Sequence, residues 1–159
     1  MPGSLAAREG AVVPVSGEFK PQVLDTEGRC TVDATDRLTL HELPGRYGDL
    51  IDDRDWEGLS QIFTDDATFE IPNEFLDGLA QIRDFMAGAR HPRTHLMANV
   101  YVDETAEGTI LRSRLIGMRQ DGTIISGRYR DVVVKGPDGW RVASRVYTPT
   151  PRKEPTEAT

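Results

Sequence analysis

The sequence predicts an α+β fold in which a curved antiparallel sheet wraps around three N-terminal helices. Three observations carry this prediction. Apolar residues recur at spacings of three and four up to about residue 90, the pattern turns to period two from Thr94 onward, and short turn-forming segments punctuate that second half. Helices followed by a strand meander give an α+β layer architecture rather than alternating βαβ units.

The first helix is read from Leu38, Leu40, Leu43, Tyr47, Leu50 and Ile51, with Asp33 or Thr35 as its N-terminal cap. Pro44 lies inside it and cannot donate to the carbonyl of Leu40, so a bend is expected there. A second, short helix holds Trp56, Leu59, Ile62 and Phe63, and "DATFEI" alternates as a strand. A third helix covers "LAQIRDFMAG", with Ile82, Phe85 and Met86 on its apolar side. Four strands follow: "THLMANVYVDE", "TILRSRLIGMRQ", "TIISGRYRDVVVK" and "WRVASRVYT". The segments between them, "TAEG", "DG" and "GPDG", have hairpin turn chemistry. Residues 1–34 show no period and read as an irregular arm, residues 35–148 as one domain, and the Pro- and Thr-rich residues 149–159 as a tail.

Composition narrows the function. The chain of 159 residues is 38% hydrophobic and 28% charged, ordinary for a soluble globular protein. Its formal charge of -7 leaves no basic excess for phosphates, so neither nucleic acid nor an anionic membrane is expected as a partner. No apolar run reaches the roughly 20 residues that span a bilayer, and the N-terminus lacks signal-peptide order. Cys30 is the single cysteine, which excludes an internal disulfide and fits a reducing cytoplasm.

The stretch "YGDLIDDRDWE" concentrates the candidate chemistry. Tyr47 lies on the apolar stripe, whereas Asp53, Asp55 and Glu57 suit the start of the next helix, where carboxylates satisfy exposed N–H groups. Asp52 differs because it directly follows Leu50 and Ile51 at the helix end. Alternation puts His95, Met97, Asn99 and Tyr101 on one face of their strand, and Leu96, Ala98, Val100 and Val102 on the other. It also groups Gly127, Tyr129, Asp131 and Val133, and sets Arg141, Ala143, Arg145 and Tyr147 against Trp140, Val142, Ser144 and Val146. His91 and His95 have metal-like spacing, but Pro92 between them breaks any helix that would align them, and no metal or cofactor is expected. No phosphate loop, nucleophile elbow or Cys–His pairing is present. From the residues alone, Asp131 is an edge charge or a cavity carboxylate, and Arg145 a partner for a buried acid or a solvated cation.

Taken together, "RYGDLIDDRDWEGLSQIFTDDATFE", "THLMANV", "SGRYRDVVV" and "DGWRVASR" make the chain resemble the SnoaL-like superfamily over roughly residues 35–148. That superfamily has the nuclear-transport-factor-type cone fold, shared with scytalone dehydratase, ketosteroid isomerase and a dehydrochlorinase. The resemblance implies that Asp52 and His95 form a catalytic Asp–His pair. It also implies that Tyr47 and a protonated Asp131 hold an oxyanion, and that Arg145 binds an anionic or leaving group. Met97, Asn99, Tyr129 and Met118 then complete the expected lining of a hydrophobic cavity. Two departures separate the chain from those relatives: Ile71 stands where the isomerase has its proton-shuttling base, and Met118 or Arg119 where the dehydratase has a second histidine.

The function expected is therefore a cofactor-independent lyase or isomerase acting on a steroid-, terpene- or polyketide-like small molecule. The alternative is a non-catalytic ligand-binding or subunit-type module of the same fold. The resemblance further implies a homo-oligomer built through the outer sheet face at Ile110, Arg112, Arg114 and Ile116.

Overall fold

A computed structural model describes residues 32–151 of the chain. Residues 1–31 and 152–159, which hold most of the expected arm and tail, lie outside the described residues.

Helix α1 runs Ala34–Asp52, and Asp33 caps it by accepting from the Asp36 N–H at 2.8 Å. Its buried face is Leu40, Leu43, Pro44, Tyr47, Gly48 and Ile51, the expected stripe without Leu38, which is 70% exposed, and Leu50, which is half-buried. Pro44 removes one backbone donor, yet the helix continues through it. Arg54 ends the run with a left-handed φ of 58°.

The expected second helix is a single 3-10 turn, Glu57–Gln61, and Phe63 belongs to the next strand. "EGLSQ" is too short and too poor in helix formers to nucleate an α-helix. Gly58 is required there by space: a Cβ would stand 2.4 Å from Leu50 Cδ2. Asp55 accepts from the Gly58 N–H at 2.9 Å, the helix-start role expected of these acids. The described residues thus contain two α-helices, not three.

Strand β1 spans Phe63–Ile71 and turns at Asn73, which has φ 68°, into β2, Glu74–Asp77, a strand the sequence reading lacks. Helix α2, Leu79–Gly88, matches its predicted segment. The meander follows as β3 Thr94–Thr105, β4 Gly108–Met118, β5 Ile124–Gly136 and β6 Gly139–Pro149. The sheet order is β2-β1-β6-β5-β4-β3. All neighbours are antiparallel except β1 and β6. The core lies between this curved sheet and the helices: Leu40, Leu43 and Ile51 of α1 and Ile82 and Met86 of α2 join Leu111, Leu115, Val133 and Val142.

Two bulges change which side chains face that core. In β3 the register breaks between Ala98 and Tyr101, around Asn99 with φ 50°. Met97 stays inward, Asn99 and Tyr101 are exposed, and Val100 and Val102 pack on the core. The predicted alternation therefore holds only as far as Met97. In β6, Val132 pairs with Ser144 but Val133 with Val142, which leaves Ala143 as an extra residue. Trp140, Val142 and Arg145 consequently all turn inward, where simple alternation separates Arg145 from the first two.

Candidate active site

Asp52 is the last residue of α1 and His95 the second residue of β3, so the contact between helix end and strand start sets their meeting. Gly48, one turn earlier, makes the approach possible. A Cβ there would lie 3.3 Å from the His95 carbonyl oxygen and 3.4 Å from Met97 Cγ. Asp52 Oδ1 stands 2.6 Å from His95 Nδ1, while Oδ2 accepts from the His95 N–H at 2.9 Å and the Thr94 hydroxyl at 3.0 Å. Burial works against the Asp52 carboxylate, but these bonds outweigh it and hold its carboxyl below the ordinary value.

An acceptor-only carboxylate at 2.6 Å requires the proton on Nδ1, which leaves Nε2 of the neutral ring with the basic lone pair. The His95 side chain is 4% exposed, so its orientation is fixed by packing as well as by Asp52. Asp52 and His95 are thus hydrogen-bonded to each other.

His91 stands beside it with ring centroids 6.0 Å apart. Its Nε2 donates to the Met86 carbonyl at 2.7 Å, and its ring lies against Trp56 at 5.6 Å. Burial pushes the His91 imidazole below its ordinary value; the Met86 bond and the Asp52 charge oppose this, and the Arg54 charge adds to it. The sequence set His91 aside with the metal spacing. Among the described residues no cluster of three or more His, Cys, Asp or Glu could hold a metal ion.

Asp131 and Arg145 face each other across β5 and β6 and form a second, separate pair. Arg145 donates from Nε to Oδ1 at 2.8 Å and from Nη2 to Oδ2 at 2.7 Å, with both residues at most 1% exposed. The guanidinium is flanked at a right angle by Tyr47 and Tyr129, whose ring centroids lie 4.2 and 4.4 Å from its central carbon. Phe63 and Phe69, not singled out in the sequence, complete the enclosure at 5.1 and 5.8 Å. Burial opposes the Arg145 charge, but Asp131 more than restores it and the group is held firmly protonated. Arg145 Nη1 is buried without a hydrogen-bond partner among the described residues.

This geometry corrects three expectations. Asp131 is not a carboxylic acid donating to an oxyanion, because both its oxygens are occupied in accepting from Arg145. Asn99 lies on the exposed side of its bulge, not beside His95. Met118 ends β4 at 44% exposure, facing away from the core. Met97 does line the region next to His95, and Tyr129 is buried next to Asp131 and Arg145. Tyr47 is 2% exposed, with its hydroxyl 4.0 Å from Met86 Sδ. Burial drives the phenols of Tyr47 and Tyr129 above the ordinary tyrosine value despite the opposing charge of Arg145, so both remain protonated donors.

A cleft of about 430 Å³ opens at the same end of the sheet as the dyad, lined by Arg119, Ile125, Ser126, Tyr147 and Thr150. His95 pairs with Gly117, and Gly117 with Ile125, so two strand steps separate the dyad from this cleft. Pro92 sits over Gly117 between them: a Cβ on Gly117 would stand 2.6 Å from Pro92 Cγ and 3.0 Å from Ile125 Cγ1.

Comparison with known proteins agrees with this architecture. The uncharacterized protein Rv2910c of Mycobacterium tuberculosis is 29% identical over 141 residues, covering 79% of this chain and 93% of that protein. Two crystal structures from Novosphingobium aromaticivorans are similar in fold, each at 24% identity. One is an NTF2-like protein with a cystatin-like fold, with TM-score 0.62 and coverage of 71% of this chain and 80% of that one. The other is provisionally assigned as a scytalone dehydratase, with TM-score 0.59 and coverage of 69% and 80%. The family model described as "SnoaL-like domain" matches residues 32–146, and the chain belongs to that family.

Proposed function

We propose that the protein is a cofactor-independent lyase or isomerase in which His95, oriented by Asp52, removes a proton made acidic by a neighbouring carbonyl. The observation that carries this reading is the 2.6 Å contact from His95 Nδ1 to Asp52, which leaves the Nε2 lone pair as the available base. The carboxylate fixes the tautomer and stabilises the imidazolium formed on proton transfer. Elimination of water is the favoured outcome, with double-bond isomerisation or cyclisation following from the same first step. The substrate class is a hydrophobic steroid-, terpene- or polyketide-like molecule, reaching the dyad from the Ile125–Tyr147 cleft beneath Pro92. With Asp131 committed to Arg145, the Tyr47 phenol is the donor left of the expected oxyanion pair.

One observation favours a second reading, a non-catalytic module of the same fold. Four aromatic rings enclose Arg145, and Tyr47 and Asp131 are 2% and 0% exposed, so the centre of the cone is packed rather than open. A screen of β-hydroxyketones for loss of water, followed by mass, separates the two. The enzyme reading expects turnover that His95→Ala and Asp52→Asn each reduce by about 10²–10⁴-fold. It is abandoned if both folded variants turn over at the wild-type rate.

A further inference from the structure

The cleft at the dyad's end of the sheet carries charge at one place only. Ile124, Ile125, Tyr147 and Pro149 give it apolar walls, and Arg119 is the single charged residue lining it. Arg119 is exposed and follows the end of β4, two residues past the Gly117 that pairs with His95. The chain's net charge of -7 means that a cation at this mouth does not reflect a generally basic surface.

Among the described residues, no carboxylate forms an ion pair with Arg119. Asp121, the acid in the same hairpin, accepts instead from the Thr123 N–H at 2.9 Å. It is exposed, so water and salt screen its charge. Asp52 is occupied by His95 and Thr94.

The Tyr147 phenol lies within range of the Arg119 charge. Burial raises this phenol above the ordinary tyrosine value, Tyr47 adds to the rise and Arg119 opposes it, so Tyr147 stays a protonated donor. Its ring lies over Gly127, where a Cβ would stand 2.2 Å from Cε2, and rests on Tyr129 at 5.1 Å between centroids. The cleft therefore presents a flat aromatic wall together with a guanidinium and a phenol, both able to donate. A carboxylate, which only accepts and is planar, complements that set on a hydrophobic body.

Resting on the proton-abstraction reading above, we propose that Arg119 anchors a carboxylate of the substrate while Tyr147 packs against its hydrophobic body. The substrate is then a hydrophobic keto acid rather than a neutral ketone. His95 and Ile125 are two strand steps apart, which sets the acid roughly 10 Å from the proton that His95 removes.

Isothermal calorimetry on the full chain tests this with 3-(4-acetylphenyl)propanoic acid, whose methyl ketone and carboxyl are separated by a comparable span, and with its methyl ester. The acid should bind saturably and about tenfold or more tighter than the ester. Arg119→Gln should abolish that preference and leave ester binding unchanged, whereas Arg119→Lys should keep part of it. Arg46→Gln, which removes an exposed arginine paired to Glu42 on α1, should bind both as the wild type does. His95→Ala removes the base but not the anchor, so it should keep the preference for the acid. Equal affinity for acid and ester, undiminished acid binding by Arg119→Gln, or no saturable binding of either compound overturns the proposal. Deuterium exchange at the methyl ketone is read separately by NMR: acid-selective binding without exchange refutes the dyad chemistry and leaves the anchor standing.

Discussion

Replacing Asp131 by Asn tests the buried pair most sharply. The change keeps the side-chain volume and one carbonyl oxygen but removes the charge facing Arg145. Arg145 is 1% exposed, makes its two side-chain hydrogen bonds to Asp131, and already has Nη1 without a partner. Water cannot replace the lost carboxylate, because Tyr47, Tyr129, Phe63 and Phe69 fill the space around the guanidinium. The rings offset part of the desolvation by cation–π contact, on the order of 0.5–2 kcal/mol. Stranding a buried charge typically costs ~3–5 kcal/mol, a large share of a total stability of roughly 5–15 kcal/mol. For a domain of this size that corresponds to a drop in Tm of about 10–20 °C. Thermal unfolding followed by circular dichroism measures it. The double variant Asp131→Leu/Arg145→Met, which removes both charges, should recover most of the loss. A loss below about 1 kcal/mol in Asp131→Asn would refute the reasoning, since the pair then behaves as a solvated one.

Three further outcomes are expected. Gly127→Ala puts a Cβ about 2.2 Å from Tyr147 Cε2 and expels that ring from its 5.1 Å contact with Tyr129. A cost of about 1–3 kcal/mol should appear in urea denaturation, and an unchanged midpoint would contradict the packing. Asp52 has its carboxyl pKa lowered in the folded state, so the stability it contributes is present above the unfolded value near 4 and is lost as pH falls through the folded value. Asp52→Asn should therefore be destabilised at pH 7 and lose less than the wild type between pH 5 and pH 2; parallel curves would count against the hydrogen bonds to Asp52. His91 is also lowered, so stability from this imidazole is present above about pH 6.5 and declines as pH falls below it. His91→Gln should flatten the stability profile between pH 8 and 5, and an unaltered profile would show that another group titrates there.

The sequence was most informative where periodicity is long. The α1 stripe from Leu40 to Ile51, α2, and the four meander strands are each legible because several residues repeat one spacing. The short 3-10 turn and β2 are not, since four or five residues carry too little pattern to distinguish from a loop. The bulges at Asn99 and Ala143 left no trace, because one inserted residue changes the facing of everything after it without changing composition. That single effect moved Asn99 outward and brought Arg145 inward.

Within the site, periodicity located Tyr47 on the buried face of α1. The pairing of Asp52 with His95 came from family resemblance, since the two residues are distant in sequence. The residues alone left Arg145 as a partner for a buried acid or a solvated cation, and did not name Asp131 as that acid. The β5–β6 register that sets them opposite depends on the bulge, and the bulge is visible only in the folded chain.

The central claim is that His95 Nε2 abstracts a proton with Asp52 behind it. Exchange of the α-protons of 2-tetralone for deuterium, followed by NMR in buffered D₂O, tests this without knowledge of the natural substrate. Wild-type protein should accelerate the exchange saturably, and His95→Ala and Asp52→Asn should each lower it at least a hundredfold while remaining folded. Exchange by both variants at the wild-type rate, or no acceleration by the wild type over buffer, would contradict the account.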